Sequence, residues 1–242
     1  MLPPSTSVRT VAWAVAILGL VATALTLVLA LNLTGAPPPV DESADFPTRI
    51  LAGQAFEQSR WPLDLVANLM FAATFGTLIL LGAILTSRTD RPEIAALLGA
   101  GGLLGIGSQL LYVGAHQVAT SIGYCDCGFI TQEVISQAWS LMVADGIAGW
   151  FLTAALILLA GGVAYTARAL AGGAMPASWG ALSWGLGALL VLGAALSIVG
   201  FDGQITSLLI AVISGIVLPI WAVWLAVGLT DDTVAAPLPV PV

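Results

Sequence analysis

Lysine is absent from this 242-residue chain, and its six basic residues are all arginine. Charged residues make up only 8% of the sequence, against roughly 25% in an ordinary soluble domain. So few charges cannot cover a water-facing surface, although they suffice for one that faces lipid. The formal charge is −7, with no basic patch for a nucleic-acid partner and no polybasic segment for electrostatic attachment to an anionic bilayer. The missing lysine rules out a retinal Schiff base, and no run of arginines forms a voltage sensor. No Walker-type loop, GxSxG or HExxH occurs. A single histidine excludes a haem held between two histidines; ligation of a haem or chlorophyll through His116 alone remains allowed by ligand chemistry.

What the chain has instead is hydrophobic length: 59% of its residues are hydrophobic. A hydrocarbon core about 30 Å thick needs roughly 20 apolar residues in a helix. Six runs qualify: Val11 to Leu31, Pro62 to Leu85, Ile94 to Ala119, Trp139 to Ala167, Trp179 to Val199 and Ile205 to Leu229. Backbone groups in lipid must be satisfied within their own segment, so such runs become helices. The expected fold is all-α: a polytopic bundle of six transmembrane helices forming one domain over residues 1–242, with a disordered tail over 230–242. The first run could also be read as a signal peptide cleaved near Thr34 and Ala36, but its apolar stretch exceeds the usual 7–15 residues.

Arginine placement predicts sidedness. Arg9, Arg88, Arg91 and Arg168 fall on one side of the spans, whereas Arg49 and Arg60 fall on the other. The positive-inside rule then puts both termini in the cytoplasm of a multi-pass cell-membrane protein, with loops near 34–61, 120–138 and 200–204 facing outward. The first of these opens with Pro37, Pro38 and Pro39, which make a stiff extended stretch. Phe46, Ile50, Leu51 and Trp61 then fit one face of a short helix lying on the outer surface; an irregular loop is the alternative. Pro62 fits the first turn of the second span. Phe201-Asp202-Gly203-Gln204 reads as a tight turn.

Helices in lipid associate by close packing, which small residues permit. Gly101-x-x-x-Gly105 and Gly193-x-x-x-Ser197 are such pairs, and Gly146, Gly149, Gly161 and Gly162 thin the fourth span. Packing within the monomer is the favoured use, and a homodimer seam is the other. Pro219 should kink the last span. Trp61, Trp139 and Trp179 at span starts, with Trp221 and Trp224 late in the last span, read as headgroup-level anchors.

Polar groups inside the spans carry the functional expectation. Asp64 and Asn68 share a face of the second span, Tyr112, His116 and Gln117 lie near the outer end of the third, and Asp145 lies in the outer part of the fourth. Together they would form an outward-opening polar cup, in which His116 could pair with Asp145 or Asp64. Side chains that merely reach water near the headgroups give the same pattern.

The second outer loop holds the two cysteines, in Gly123-Tyr124-Cys125-Asp126-Cys127-Gly128. A local disulfide, a metal site that adds His116, Asp126 or Glu133, a thiol-exchange site and two free thiols all compete here. Structural zinc wants four ligands, and cysteine supplies two.

Two segments of the C-terminal third carry a resemblance: Met175-Pro176-Ala177-Ser178-Trp179-Gly180, and Leu218-Pro219-Ile220-Trp221-Ala222-Val223-Trp224-Leu225. They resemble uncharacterised six-helix bacterial integral membrane proteins grouped as domains of unknown function. In these a Pro-x-x-Trp-Gly-like start and a tryptophan-bearing final helix recur. The resemblance implies the six-helix architecture and no activity; Cys125 and Cys127 are not part of its pattern.

The leading functional expectation is a non-enzymatic accessory subunit or small-ligand-binding membrane protein. Its partners would be the bilayer and a membrane-embedded protein or a second copy. An outer-face redox or metal protein built on Cys125, Cys127 and His116 is the alternative, and a small-molecule carrier is the third.

Overall fold

The computed structural model describes residues 7–33, 46–122, 132–199, 209–210 and 212–229. Its elements are α1 (Val8–Ala30), α2 (Phe46–Thr89), α3 (Pro92–Ile122), α4 (Gln132–Leu170), α5 (Ala177–Ile198) and α6 (Leu218–Gly228), the last preceded by a π-helical turn at Ile213–Val217. Five of these helices are long and apolar enough to cross a membrane, and Ile213–Gly228 is a shorter apolar helix. The expected all-α membrane bundle is therefore the fold. The tight turn at 201–204, the Pro37–Pro39 stretch, the cleavage-site residues Thr34 and Ala36 and the tail from Thr230 lie outside the described residues.

Local chemistry sets the helix ends. The Ser7 side chain accepts a hydrogen bond from the Thr10 backbone N–H at 3.1 Å and starts α1. At the other end Asn32 adopts φ 52°, and the N–H groups of Asn32 and Leu33 bond back to the Leu29 and Val28 carbonyls, both at 3.0 Å. This is the left-handed stop that occupies two otherwise orphaned carbonyls, with asparagine in glycine's usual place. Asp90, φ 54°, ends α2 in the same way, and Pro92 opens α3 where a missing N–H does no harm. Thr86 spans that turn: its hydroxyl donates to the Arg91 carbonyl at 3.0 Å and accepts from the Ala95 N–H at 2.9 Å.

The helices pack in chain order, α1 on α2, α2 on α3, α3 on α4 and α4 on α5, and α6 lies between α5 and α1 to close the ring. Neighbours run antiparallel. Gly82 of α2 faces Leu98 of α3 while Gly102 faces Phe75 and Ile79; Gly162 of α4 faces Leu98 while Ser108 of α3 bonds to the Ala148 carbonyl at 2.8 Å. Glycine lets these backbones approach. Gly101 turns to Leu159 and Ala155 of α4, and Gly105 turns to the Phe75 ring of α2. This pair is thus used inside the monomer, one glycine on each side of α3. Gly146 and Gly149 are exposed with open space beside them.

Around this interior the bundle exposes a broad apolar surface, including Leu20, Leu103, Leu110, Trp150, Trp184 and Val227. A soluble monomer rarely shows apolar patches on this scale, whereas a lipid-facing bundle must.

Two details depart from the sequence reading. Residues 46–61 are helical, as expected, but they continue into the second span, so Pro62 lies within the 44-residue α2 and not at its first turn. Proline inside a helix leaves one carbonyl of the preceding turn without its amide partner, and Pro62 is exposed. Which way Phe46, Ile50 and Leu51 point lies outside the described residues.

The second departure concerns tryptophan. Trp179 and Trp221 are not headgroup anchors but fully buried residues with 0% exposure. Their rings stack at 5.8 Å, and a closed circuit satisfies their polar atoms. Trp221 Nε1 donates to Ser183 Oγ at 2.8 Å, Ser183 Oγ donates to the Trp179 carbonyl at 2.9 Å, and Trp179 Nε1 donates to the Trp221 carbonyl at 3.4 Å. An indole N–H with an internal acceptor does not need the interface.

Pro219, expected to kink the last span, lies at the start of α6 directly after the π turn. The last helix takes up its missing N–H by widening into the π turn just before it, a common accommodation for a broken ladder.

Candidate functional site

One end of the bundle gathers the C-termini of α1 and α3 and the N-terminal parts of α2 and α4. Polar and aromatic side chains from three of these helices meet there. On α3, Tyr112 precedes His116 by four residues, so both side chains share one face. Their ring centroids are 4.0 Å apart, with planes inclined by 32°. Trp61 of α2 lies parallel to the imidazole, at 5° and 6.3 Å. From α4, the Asp145 carboxylate places Oδ1 3.9 Å from His116 Nε2. That separation suits a charge pair when the imidazole is protonated and is too long for a hydrogen bond. The side chains of His116 and Asp145 are 34% and 46% exposed, so solvent reaches the pair and screens it.

The remaining cup residues extend the same end. Asp64 lies three residues beyond Trp61, and Asn68 four beyond Asp64, which aligns all three on one face of α2. The Asn68 amide donates to the Asp64 backbone carbonyl at 2.7 Å and to its carboxylate at 3.2 Å. Both side chains are half-buried, whereas Gln117 is exposed. His116, Tyr112 and Asp145 thus come together directly, and Asp64 and Asn68 join them along α2 through Trp61.

No protein-family model, curated protein or solved structure matches this chain. What the site can do must therefore be argued from its own side chains.

Two members were not expected from the sequence. Trp61 was read as an anchor, yet its ring belongs to the cluster; its three-residue spacing from Asp64 was the available signal. Arg60 ties the same end together: its Nη2 donates to the Leu29 carbonyl at the end of α1, and its guanidinium lies 4.9 Å above the Phe56 ring. A cation against the last turn of a helix is favourably placed for the helix dipole. No sequence rule pairs residues 31 positions apart, and this contact came only with the fold.

Chemically the cluster offers three ring faces, one imidazole and a nearby carboxylate. The carboxylate–imidazole pair has the composition of a base and its orienting partner, but its spacing does not hold a proton between them. Among the described residues no group of three His, Cys, Asp or Glu side chains could hold a metal ion. Cys125 and Cys127 lie outside the described residues, as do the side chains of Asp126 and Glu133.

Elsewhere the described interior is apolar. Its buried polar side chains are Thr23, Thr74, Ser108, Thr153, Thr166 and Ser183, with no buried charge among them. Five of the six donate to a backbone carbonyl.

Proposed function

We propose that this chain is a non-enzymatic small-ligand-binding protein of the cell membrane. Its site is the Trp61–Tyr112–His116–Asp145 cluster, with Asp64 and Asn68 beside it. The observation that carries the reading is the contrast between the two parts of the bundle. Three helices bring rings and a carboxylate to one half-exposed end, while the buried polar side chains of the described interior are hydroxyls, five of six engaged with their own helices or a neighbour and only Thr23 without a partner. A carrier needs polar groups along its path at the membrane midplane, and this distribution favours a terminal binding site over transport. The arginine pattern supports an orientation with both termini cytoplasmic and the cluster facing outward.

The test is thermal unfolding of the detergent-purified protein against a panel of small organic cations, anions, neutral amphiphiles and metal ions. At least one class should raise the midpoint of wild-type protein and not of Trp61→Ala. A ligand present at a hundredfold excess over its Kd stabilises by about 2.7 kcal/mol, a shift such an assay resolves. If no compound discriminates between the two proteins, the cluster is not a ligand site, and an intramembrane accessory role takes precedence.

A further inference from the structure

We infer that the cluster selects organic cations, of the alkylammonium or flat heteroaromatic kind, over neutral and anionic molecules of the same shape; this rests on the binding-site reading above. The inference starts from the ring that already occupies the site. The His116 imidazole is a small flat base, and it lies against Tyr112 at 4.0 Å between ring centroids and beside the Asp145 carboxylate at 3.9 Å, with the Trp61 ring parallel to it at 6.3 Å. The His116 side chain shows by its own position what the surrounding groups accommodate: an object with a π face or methyl surface and a positive charge.

Each surrounding group favours the same sign. The faces of tryptophan and tyrosine carry negative quadrupole potential, and cations within about 6 Å of a ring centroid are attracted to it, tryptophan most strongly. Asp145 adds a formal negative charge, and its partner imidazole cancels that charge only when protonated. Asp64, one turn along α2 from Trp61, adds a second carboxylate on the same helix face. Anionic ligands meet the Asp145 carboxylate and the negative ring faces. Among the described residues Arg60 is directed to the Leu29 carbonyl and the Phe56 ring.

Neutral ligands of equal shape gain the apolar contact and lose the electrostatic one. Aromatic cages for quaternary ammonium groups use this same combination. Partial exposure favours entry without a large rearrangement: the Asp145 and His116 side chains are 46% and 34% exposed, and Trp61 and Tyr112 are half-buried.

The experiment uses the full chain in detergent micelles, with isothermal titration of tetramethylammonium, choline and 3,3-dimethylbutanol, the last being the uncharged carbon isostere of choline. Choline should bind at least roughly tenfold tighter than the isostere, the size expected of a partly desolvated cation–π contact with a carboxylate behind it. Trp61→Ala and Asp145→Asn should each weaken choline by about that factor, and Asp145→Asn should leave the isostere unchanged. Trp61→Phe, which keeps a weaker π face, should fall between wild type and Trp61→Ala. Far-UV circular dichroism and gel filtration confirm that each variant remains folded.

Equal binding of choline and its isostere, both weakened by Trp61→Ala, overturns the cation selectivity and leaves the binding-site reading standing. So does Trp61-dependent binding of an anion or neutral amphiphile when the ammonium probes give no heat. If no probe of any class binds in a Trp61-dependent way, both readings fail together.

Discussion

Gly215→Ala tests the tightest contact made by a described glycine. A Cβ built on Gly215 would lie 1.6 Å from Thr23 Oγ1, 2.2 Å from its Cβ and 2.4 Å from its Cγ2. Rotating Thr23 about χ1 moves the hydroxyl and methyl but leaves its Cβ in place, so no rotamer relieves the overlap. Four residues from Thr23, Gly19 of α1 also approaches α6 and the turn before it, less tightly: its built Cβ would lie 3.2 Å from both Pro219 Cγ and the Ser214 carbonyl. Adding the methyl therefore requires α1 and the π turn to part by roughly 1 Å, which forfeits a quarter to a half of the dispersion attraction along the seam.

Overpacking typically costs about 1–3 kcal/mol, and a contact that no side chain can yield belongs at or above the top of that range. The assay is reversible unfolding in mixed micelles, with denaturing detergent fraction as the variable and near-ultraviolet circular dichroism as the signal. Gly215→Ala should lose about 3 kcal/mol or more. Thr23→Ala alone should be close to neutral, because Thr23 Oγ1 is a buried atom with no hydrogen-bond partner and its removal uncovers no other group.

The decisive arm is the pair Thr23→Gly with Gly215→Ala. It removes the three nearest overlapping atoms at a Thr→Gly helix-propensity cost of roughly 0.3–0.5 kcal/mol, and it should be more stable than Gly215→Ala alone. A Gly215→Ala protein within about 0.5 kcal/mol of wild type would refute the packing argument, as would a loss that Thr23→Gly does not recover.

Two further outcomes follow from the packing, both read by the same unfolding measurement. Ser183→Ala strands the fully buried Trp221 indole N–H and should cost about 1–3 kcal/mol, whereas Trp179→Phe gives up only the longer 3.4 Å bond and should cost less through hydrogen bonding. No loss for Ser183→Ala would mean the circuit holds nothing together. Gly105→Ala places a methyl 2.4 Å from Phe75 Cδ1 and should destabilise by about 1–3 kcal/mol, whereas Gly114→Ala enters open space and should be neutral or gain up to about 1 kcal/mol in helix propensity.

How much of this was legible in the sequence depends on how many ways each residue could be satisfied. The spans were plain because lipid leaves a backbone one economical solution, and runs such as 11–31 and 94–119 differ from α1 and α3 only by a turn at their ends. That His116 and Asp145 share one end of the bundle follows from antiparallel packing of consecutive spans. Trp179 had two solutions, water at the headgroups or an acceptor inside the protein. The sequence rule chose the first, but the Trp221 carbonyl of α6, reached only through the fold, supplied the second.

Pro62 was assigned a helix start because proline is tolerated there. The apolar and aromatic residues on both sides of it continue the helix through instead, and exposure at that end lets the chain give up one backbone bond. The Arg60–Leu29 contact had no local signature at all. It depends on where α1 stops, which the left-handed Asn32 fixes.

The two ends of the bundle are therefore built on different principles. Where α5 meets α6, fully buried rings close on one another through Ser183, and where α3 starts, Thr86 caps it from the neighbouring helix. Where His116 lies, the contacts are half-exposed rings, a screened charge pair and an amide–carboxylate bond along one helix. Contacts of the second kind contribute less to holding helices together, and local opening is cheapest where buried apolar contact is sparse. A ligand that lies against Trp61 and Tyr112 would add buried contact to a seam whose described contacts are half-exposed. The features that make the cluster a weak seam between α2, α3 and α4 are thus the ones that let it gain from an occupant, and the tightly packed remainder supplies the rigid frame against which such a site is held.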